Sequence, residues 1–213
     1  MGRFITFEGV EGCGKTTQIK LLAQHLTERG ETVVVTREPG GCPIADQARA
    51  ILLDAANRAM TPTAELLLYA AARAQHVQEI VKPALAAGKI VLCDRFTDAT
   101  IAYQGCGRGL DLATIAYLNE LATGGLKPQL TLLLDCPVEV GLRRALDRIN
   151  GRSGAREERF ELESVLFHQK VRDGYLKLAE NEPERFIVID GSRQVQETEA
   201  AVAEAVMARL AEG

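Results

Sequence analysis

Residues 9–16, Gly-Val-Glu-Gly-Cys-Gly-Lys-Thr, hold the most chemistry per residue of any stretch in the chain. They fit the spacing G-x-x-x-x-G-K-[ST], in which glycines let the backbone turn its N–H groups inward around a polyphosphate. Gly9, Gly12 and Gly14 supply that freedom, and Glu11, Cys13 and Thr17 complete the candidate phosphate-binding set. Lys15 brings an ammonium to the β- and γ-phosphates, and the Thr16 hydroxyl is placed to ligate Mg²⁺. The pattern has meaning only between a strand and a helix. Both flanks are present: Phe4-Ile5-Thr6-Phe7 reads as a strand, and residues 15–29 have a helical period. A helix start near Lys15 adds a partial positive charge where the phosphates would sit. Together these features predict a nucleoside triphosphate site with Mg²⁺.

The elements that must position this loop are legible as alternating patterns. Strand-like apolar runs occur at 4–7, 32–36, 89–93, 130–134 and 186–189. They are continuous rather than alternating, as strands buried on both faces of a parallel sheet are. Helical patterns fall at about 15–29, 44–55, 62–86, 111–122, 138–150, 161–180 and 194–211. The alternation predicts one α/β domain over 1–213, a doubly wound five-stranded parallel sheet flanked by helices, with ligands beyond the carboxyl ends of the strands. Four of the runs end in glycine or charge: the phosphate loop, Arg37-Glu38-Pro39-Gly40-Gly41, Asp94-Arg95-Phe96 and Asp135.

Composition sets outer bounds. Of 213 residues, 46% are hydrophobic and 25% charged, which permits an ordinary core. A net charge of −4 speaks against a general nucleic-acid binder, which needs a basic face. The five cysteines form no C-x-x-C pair, so neither a disulfide framework nor a zinc site is indicated, and a reducing cytoplasmic setting fits. No apolar stretch is long enough for a membrane span.

At this level of detail the chain resembles the bacterial thymidylate kinases, P-loop kinases of nucleoside monophosphates. The resemblance spans nearly the whole length. It is carried by Phe7-Glu8-Gly9 with the loop, Thr36-Arg37-Glu38-Pro39-Gly40-Gly41, Tyr69 with Arg73, Asp94-Arg95-Phe96, Ala102-Tyr103-Gln104-Gly105 with Gly107-Arg108-Gly109, and Arg159-Phe160-Glu161. It implies transfer of the γ-phosphoryl of ATP to dTMP, with Mg²⁺, in a homodimer. A phosphate monoester is mostly dianionic at neutral pH, so the acceptor needs no general base. The difficulty is to hold two polyanions in line, and cations do that.

The resemblance also implies roles. Lys15, Arg95, Asp94 and a lid arginine would be catalytic, with Thr16, Asp94 and Glu38 near the metal. Glu8, Arg37, Pro39, Tyr69, Arg73, Arg95, Thr100, Tyr103, Gln104 and Arg108 would bind dTMP. Tyr69 would stack on the base, Arg73 would donate to its O4, and Tyr103 would exclude a ribose 2′-OH. Residues 147–161 would form a mobile lid. With Glu at position 11, the lid rather than the loop would supply the catalytic arginine. Arg159 is the leading choice, with Arg148, Arg152 and Arg156 as alternatives. Glu158 departs from the aspartate usual before this arginine.

Two other readings compete with this one. A kinase of different base preference, or one acting on a nucleoside, would need a base near the 5′-OH, with Glu8 or Asp94 the candidates. A GTPase-type switch lacks its guanine-reading N-K-x-D motif. His25 and His168 read as helix-surface residues, His76 as structural, and Cys13 as a small filler.

Overall fold

The computed structural model describes residues 2–150, 159–160 and 163–211. Strands β1 (Arg3–Glu8), β2 (Val33–Arg37), β3 (Ile90–Asp94), β4 (Leu130–Asp135) and β5 (Phe186–Asp190) form a single sheet in the order β2-β3-β1-β4-β5. All pairings are parallel. These are the five apolar runs, each carried one residue further, so that Glu8, Arg37, Asp94, Asp135 and Asp190 end the strands. Because the strands are parallel, all five charges arrive at one rim. The chain leaves β1 toward β2 on one side and later fills β4 and β5 on the other. The crevice at the end of β1 is therefore the topological switch point, and the phosphate loop occupies it.

Alternation along β1 feeds two cores. Ile5 and Phe7 join Leu132, Tyr175 and Val202 on one face, while Phe4 packs with Val77, Val91 and Phe96 on the other. Helices α1 (Lys15–Glu28), α2 (Pro43–Leu53) and α3 (Pro62–His76) follow the expected segments. The 62–86 segment is not one α-helix. It widens into a π-type turn at Val77–Val81 before α4 (Lys82–Ala86), and Lys82 N–H donates to Val77 O, five residues back. Pro83 accounts for this: it has no N–H, and its ring crowds the carbonyl four residues earlier.

The segment between β3 and the next helix, left without an element in the sequence reading, is helical. It forms α5 (Thr97–Thr100) and a second π-type stretch at Ile101–Gly107 that carries Tyr103 and Gln104. Helices α6 (Leu112–Thr123), α7 (Val138–Asn150), α8 (Val165–Asn181) and α9 (Val195–Ala211) complete the fold. Ser164 caps α8 through its side chain, which accepts from Phe167 N–H, so α8 starts later than its period suggests. Among the described residues no helix is long and apolar enough to cross a membrane.

Candidate active site

The phosphate loop is held from both sides. Gly9, Gly12 and Gly14 have φ of 135°, 69° and 100°. A Cβ on Gly12 would lie 2.0 Å from Gly141 O, so backbone meets backbone where the loop abuts α7. Lys15 is 7% exposed, and its ammonium donates to Gly9 O and Val10 O, both at 3.0 Å. Thr16 Oγ1 donates to Asp94 Oδ2 at 3.0 Å, which brings a hydroxyl and a carboxylate together at the loop mouth.

Arg95 is the most constrained charge beside it. Its φ of 70° is the only positive value among described non-glycine residues. Two bonds hold that turn: Arg95 N–H donates to Phe7 O at 2.9 Å, and Phe96 N–H to Glu8 Oε1 at 2.7 Å. The guanidinium donates through Nη1 to Gly9 O and Tyr175 Oη, both at 3.0 Å, and through Nη2 to Glu11 Oε1 at 3.1 Å. It also covers the Tyr103 ring at 4.8 Å. Of its five donors, Nε–H and one Nη2–H are not taken by these acceptors, and that edge matches two phosphate oxygens.

Two buried carboxylates beside it behave oppositely. Burial pushes the Glu8 carboxyl up to about 8, reinforced by Asp98 and only partly offset by Arg95 and Tyr175. Burial also acts on Glu11, but the His168 contact, the Arg95 charge and the Tyr103 hydroxyl outweigh it and hold Glu11 at about 2. Folded Glu8 thus keeps a proton that the unfolded chain releases near pH 4.5. Its contribution to stability is fully present below that pH and is lost as pH rises through about 8. Glu8→Gln should therefore gain in Tm relative to the parent as pH rises from 5 to 8, then level off. Thermal melts across that range check this, and parallel profiles would contradict it.

A cavity of about 1810 Å³ runs from the loop to a second pocket lined by Tyr69, Arg73, Thr100, Tyr103, Gln104 and Phe160. Single drug-sized ligands occupy pockets of roughly 300–1,000 Å³, so there is room for two. Arg95 lies where the two halves meet, and Arg37, Glu38 and Pro39 line the same cavity. Thr100 Oγ1 is buried without a hydrogen-bond partner among the described residues. The Tyr103 hydroxyl donates to Glu11 Oε1 at 2.6 Å.

Several expected contacts lie elsewhere. Glu8 does not line the cavity: it is fully buried beneath Arg95, with its oxygens taken by Phe96 N–H and the Tyr175 hydroxyl. Both Glu38 oxygens are occupied, by Arg73 Nε at 2.7 Å and His76 Nδ1 at 2.9 Å. Arg73 also donates to Asn119 Oδ1 at 2.7 Å and Phe96 O at 3.0 Å, so much of its donor capacity holds the pocket wall. Arg108 turns to Glu65 and Glu163, at 3.2 and 2.6 Å.

Arg159 is buried, with Nη2 2.7 Å from Glu65 Oε2 and Nε donating to Leu52 O; it does not line the cavity. The side chain of Arg148, and all of Arg152 and Arg156, lie outside the described residues, as does most of the expected lid. His168 is fully buried, not on the surface: Nδ1 faces Glu11 Oε2 at 3.1 Å and Nε2 faces Phe160 O at 3.1 Å. His76 is buried between Glu38 and Thr36.

The sequence reading missed Glu65, which gathers Gln104, Arg108 and Arg159, and it missed Tyr175. It also missed three cavity-lining arginines, Arg49, Arg144 and Arg193. A usable signal existed for Glu65. It sits four residues before Tyr69 and eight before Arg73, on the same helical face.

A parallel 2-3-1-4-5 sheet with the glycine loop at its switch point is a P-loop NTPase fold, and the adjoining pocket suits a kinase of small acceptors. Residues 7–202 match the family model described as thymidylate kinase. The chain is 87% identical over 213 residues to a thymidylate kinase of Geotalea uraniireducens, with all of both chains covered. It is 67% identical over 210 residues to one of Geobacter sulfurreducens, with 99% of each covered. The crystal structure of thymidylate kinase from Ehrlichia chaffeensis superposes with a TM-score of 0.77 at 35% identity, covering 97% of this chain and 98% of that one. This chain belongs to the thymidylate kinase family.

Proposed function

We propose that the protein transfers the γ-phosphoryl of ATP to dTMP, giving dTDP and ADP, as one kinase domain with its lid inside residues 147–161. The observation that carries this reading is the single cavity joining the phosphate loop to the Tyr69–Arg73 pocket, with Arg95 at the junction. Lys15 and the loop N–H groups hold the donor phosphates. Arg95 offers its Nε–Nη2 edge between donor and acceptor, and Arg37 faces the acceptor phosphate from the end of β2. Alignment and charge neutralisation are the catalysis here, because the acceptor oxygen is already anionic.

The loop mouth suits Mg²⁺. Thr16 Oγ1 and Asp94 Oδ2 are adjacent hard oxygens, and among the described residues no group of three or more His, Cys, Asp or Glu forms a cage. A cation that takes most of its ligands from phosphate and water fits that arrangement, and Mg²⁺ bound there would neutralise charge on the β- and γ-phosphates. Glu38, with both oxygens engaged, acts instead by holding Arg73. We keep a lid arginine in the catalytic set but move the choice toward Arg148, Arg152 or Arg156, since Arg159 is committed to Glu65.

In the acceptor pocket Tyr69 stacks on thymine, Arg73 supplies a remaining N–H to O4, and the Thr100 hydroxyl meets the base. Tyr103, fixed by Glu11, closes the space that a 2′-OH would need. Tyr69→Ala should raise the Kd for dTMP by roughly 10-fold or more, the worth of one base–aromatic contact, with ATP affinity nearly unchanged. Calorimetric titration of each nucleotide checks this, and equal losses would exclude stacking.

A homodimer suits the exposed apolar side chains on two adjoining helices, Leu67 on α3 and Tyr117 and Leu121 on α6, which are 52%, 67% and 67% exposed. Sedimentation should find a dimer that Leu121→Glu dissociates. A cytoplasmic location follows from the activity proposed. The test of the whole reading is ADP release with MgATP across nucleoside monophosphates and thymidine. The highest kcat/KM is expected for dTMP, and a better acceptor of another class would overturn it.

A further inference from the structure

Tyr175 lies on α8, 80 residues from Arg95 in sequence, yet the two side chains meet at 3.0 Å. Nothing in the phosphate loop or the strand-end motifs points to it. It is 1% exposed, so a hydroxyl there must be satisfied by protein. It has two partners of opposite kind. The O–H donates to Glu8 Oε2 at 2.7 Å, and the oxygen accepts from Arg95 Nη1 at 3.0 Å.

A guanidinium can only donate, so the Tyr175 oxygen must present a lone pair to Arg95, and its proton is left to face Glu8. Gly9 O accepts from the same Nη1 at 3.0 Å, so both of its N–H groups are taken, one by the loop and one by α8. Glu11 holds Nη2. The guanidinium plane is thereby fixed, and Arg95, which lines the cavity, has its Nε–H and second Nη2–H left for a ligand. Glu8 contributes twice, since its other oxygen holds Phe96 N–H and with it the left-handed turn at Arg95.

We propose that Tyr175 is a positioning residue for phosphoryl transfer: its hydroxyl, oriented by Glu8, sets the plane in which Arg95 meets the two phosphates. The proposal rests on Arg95 bridging donor and acceptor. It also makes Arg95 sensitive to the placement of α8. His168, two turns earlier on the same helix, links Phe160 O to Glu11 by the same logic.

The test is a double-mutant cycle read by single-turnover kinetics at high enzyme concentration. Tyr175→Phe keeps the ring and removes the oxygen. Transfer should slow by roughly tenfold, the scale of a lost hydrogen bond to a charged group, with ATP and dTMP Kd within about twofold. In an Arg95→Lys background, which keeps charge but not the fork, Tyr175→Phe should cause almost no further loss. A merely structural tyrosine would slow both backgrounds by the same factor, and that result overturns the proposal. So does a Tyr175→Phe protein that transfers at the parental rate. Should Tyr175→Phe fold poorly, Glu8→Gln serves instead, compared with the parent at about pH 9, where the parental Glu8 is ionised. Its amide oxygen keeps Phe96 N–H while its NH₂ turns the Tyr175 O–H toward Arg95, and it should show the same dependence on Arg95. Absence of transfer to any monophosphate by the parent protein would instead defeat the functional reading itself.

Discussion

Lys15→Ala is expected to lower phosphoryl transfer by roughly 10³-fold while leaving a folded protein, the loss seen when a preorganised charge is removed from a transferring group. The ammonium is buried at 7% exposure and donates to Gly9 O, Val10 O and Cys13 Sγ. Among the described residues no carboxylate is paired with it, so its removal orphans no charge there. Gly9 O keeps Arg95 as a donor. The structural cost is therefore that of a few hydrogen bonds to carbonyls, about 1 kcal/mol each. The chemical cost is larger, because the ammonium is the charge that the loop motif aims at the β- and γ-phosphates. Coupled ADP release with dTMP, alongside a thermal melt, checks both halves. Turnover near that of the parent would remove the loop from the mechanism, and loss of the folded baseline would show that the ammonium is structural.

The fold was legible because its strands are buried on both faces. That condition writes itself as unbroken apolar runs, and the structure carries the end of each one residue further, to the charged residue that closes it. What resisted reading had weak periodicity or none. Residues 97–107 mix small, polar and aromatic side chains, because one side of this helical stretch faces the cavity and the other packs on α8. Neither a 3.6 nor a 2.0 period results. The π-type turn at Val77–Val81 is invisible to any test that asks only whether a segment is helical. In retrospect Pro83 was its one signal.

The site was legible where chemistry is local and hidden where it is assembled. Lys15, Thr16, Asp94 and Arg95 stand at strand ends and in the loop, so topology alone delivers them to one rim. Assigning Glu8 and Glu38 to substrate or metal rested on the same rule, that a charge at a strand end faces the ligand. For these two the rule breaks: Glu38 lines the cavity but spends both oxygens on Arg73 and His76, and Glu8 is buried behind it with its oxygens on Phe96 N–H and the Tyr175 hydroxyl. His168 and Tyr175 carry no motif. Their partners come from the phosphate loop and the end of β1, and only the packed fold reveals a seven-residue spacing that puts both on the same face of α8.

Arg95→Ala carries the other large expectation, a fall in kcat/KM of roughly 10³-fold or more, comparable to removing an arginine that stabilises a transferring phosphoryl. The left-handed turn does not confound the experiment. Alanine keeps the same Cβ, so the backbone at φ 70° costs the variant about what it costs the parent. The polar partners also survive. Glu11 retains Tyr103 and faces His168, the Tyr175 hydroxyl retains Glu8, and Phe96 N–H retains Glu8. What disappears is one charge and one free edge of a fixed fork. Arg95→Lys should therefore recover only part of the loss, because an ammonium supplies charge without the bidentate geometry. If Arg95 spans both phosphates, the kcat deficit should exceed any rise in dTMP Kd measured by calorimetry, since the bridge is complete only when the phosphoryl is in flight. A variant that keeps kcat within tenfold of the parent, or one whose whole deficit lies in dTMP affinity, would reduce Arg95 to a substrate anchor and leave the bridging role to another cation.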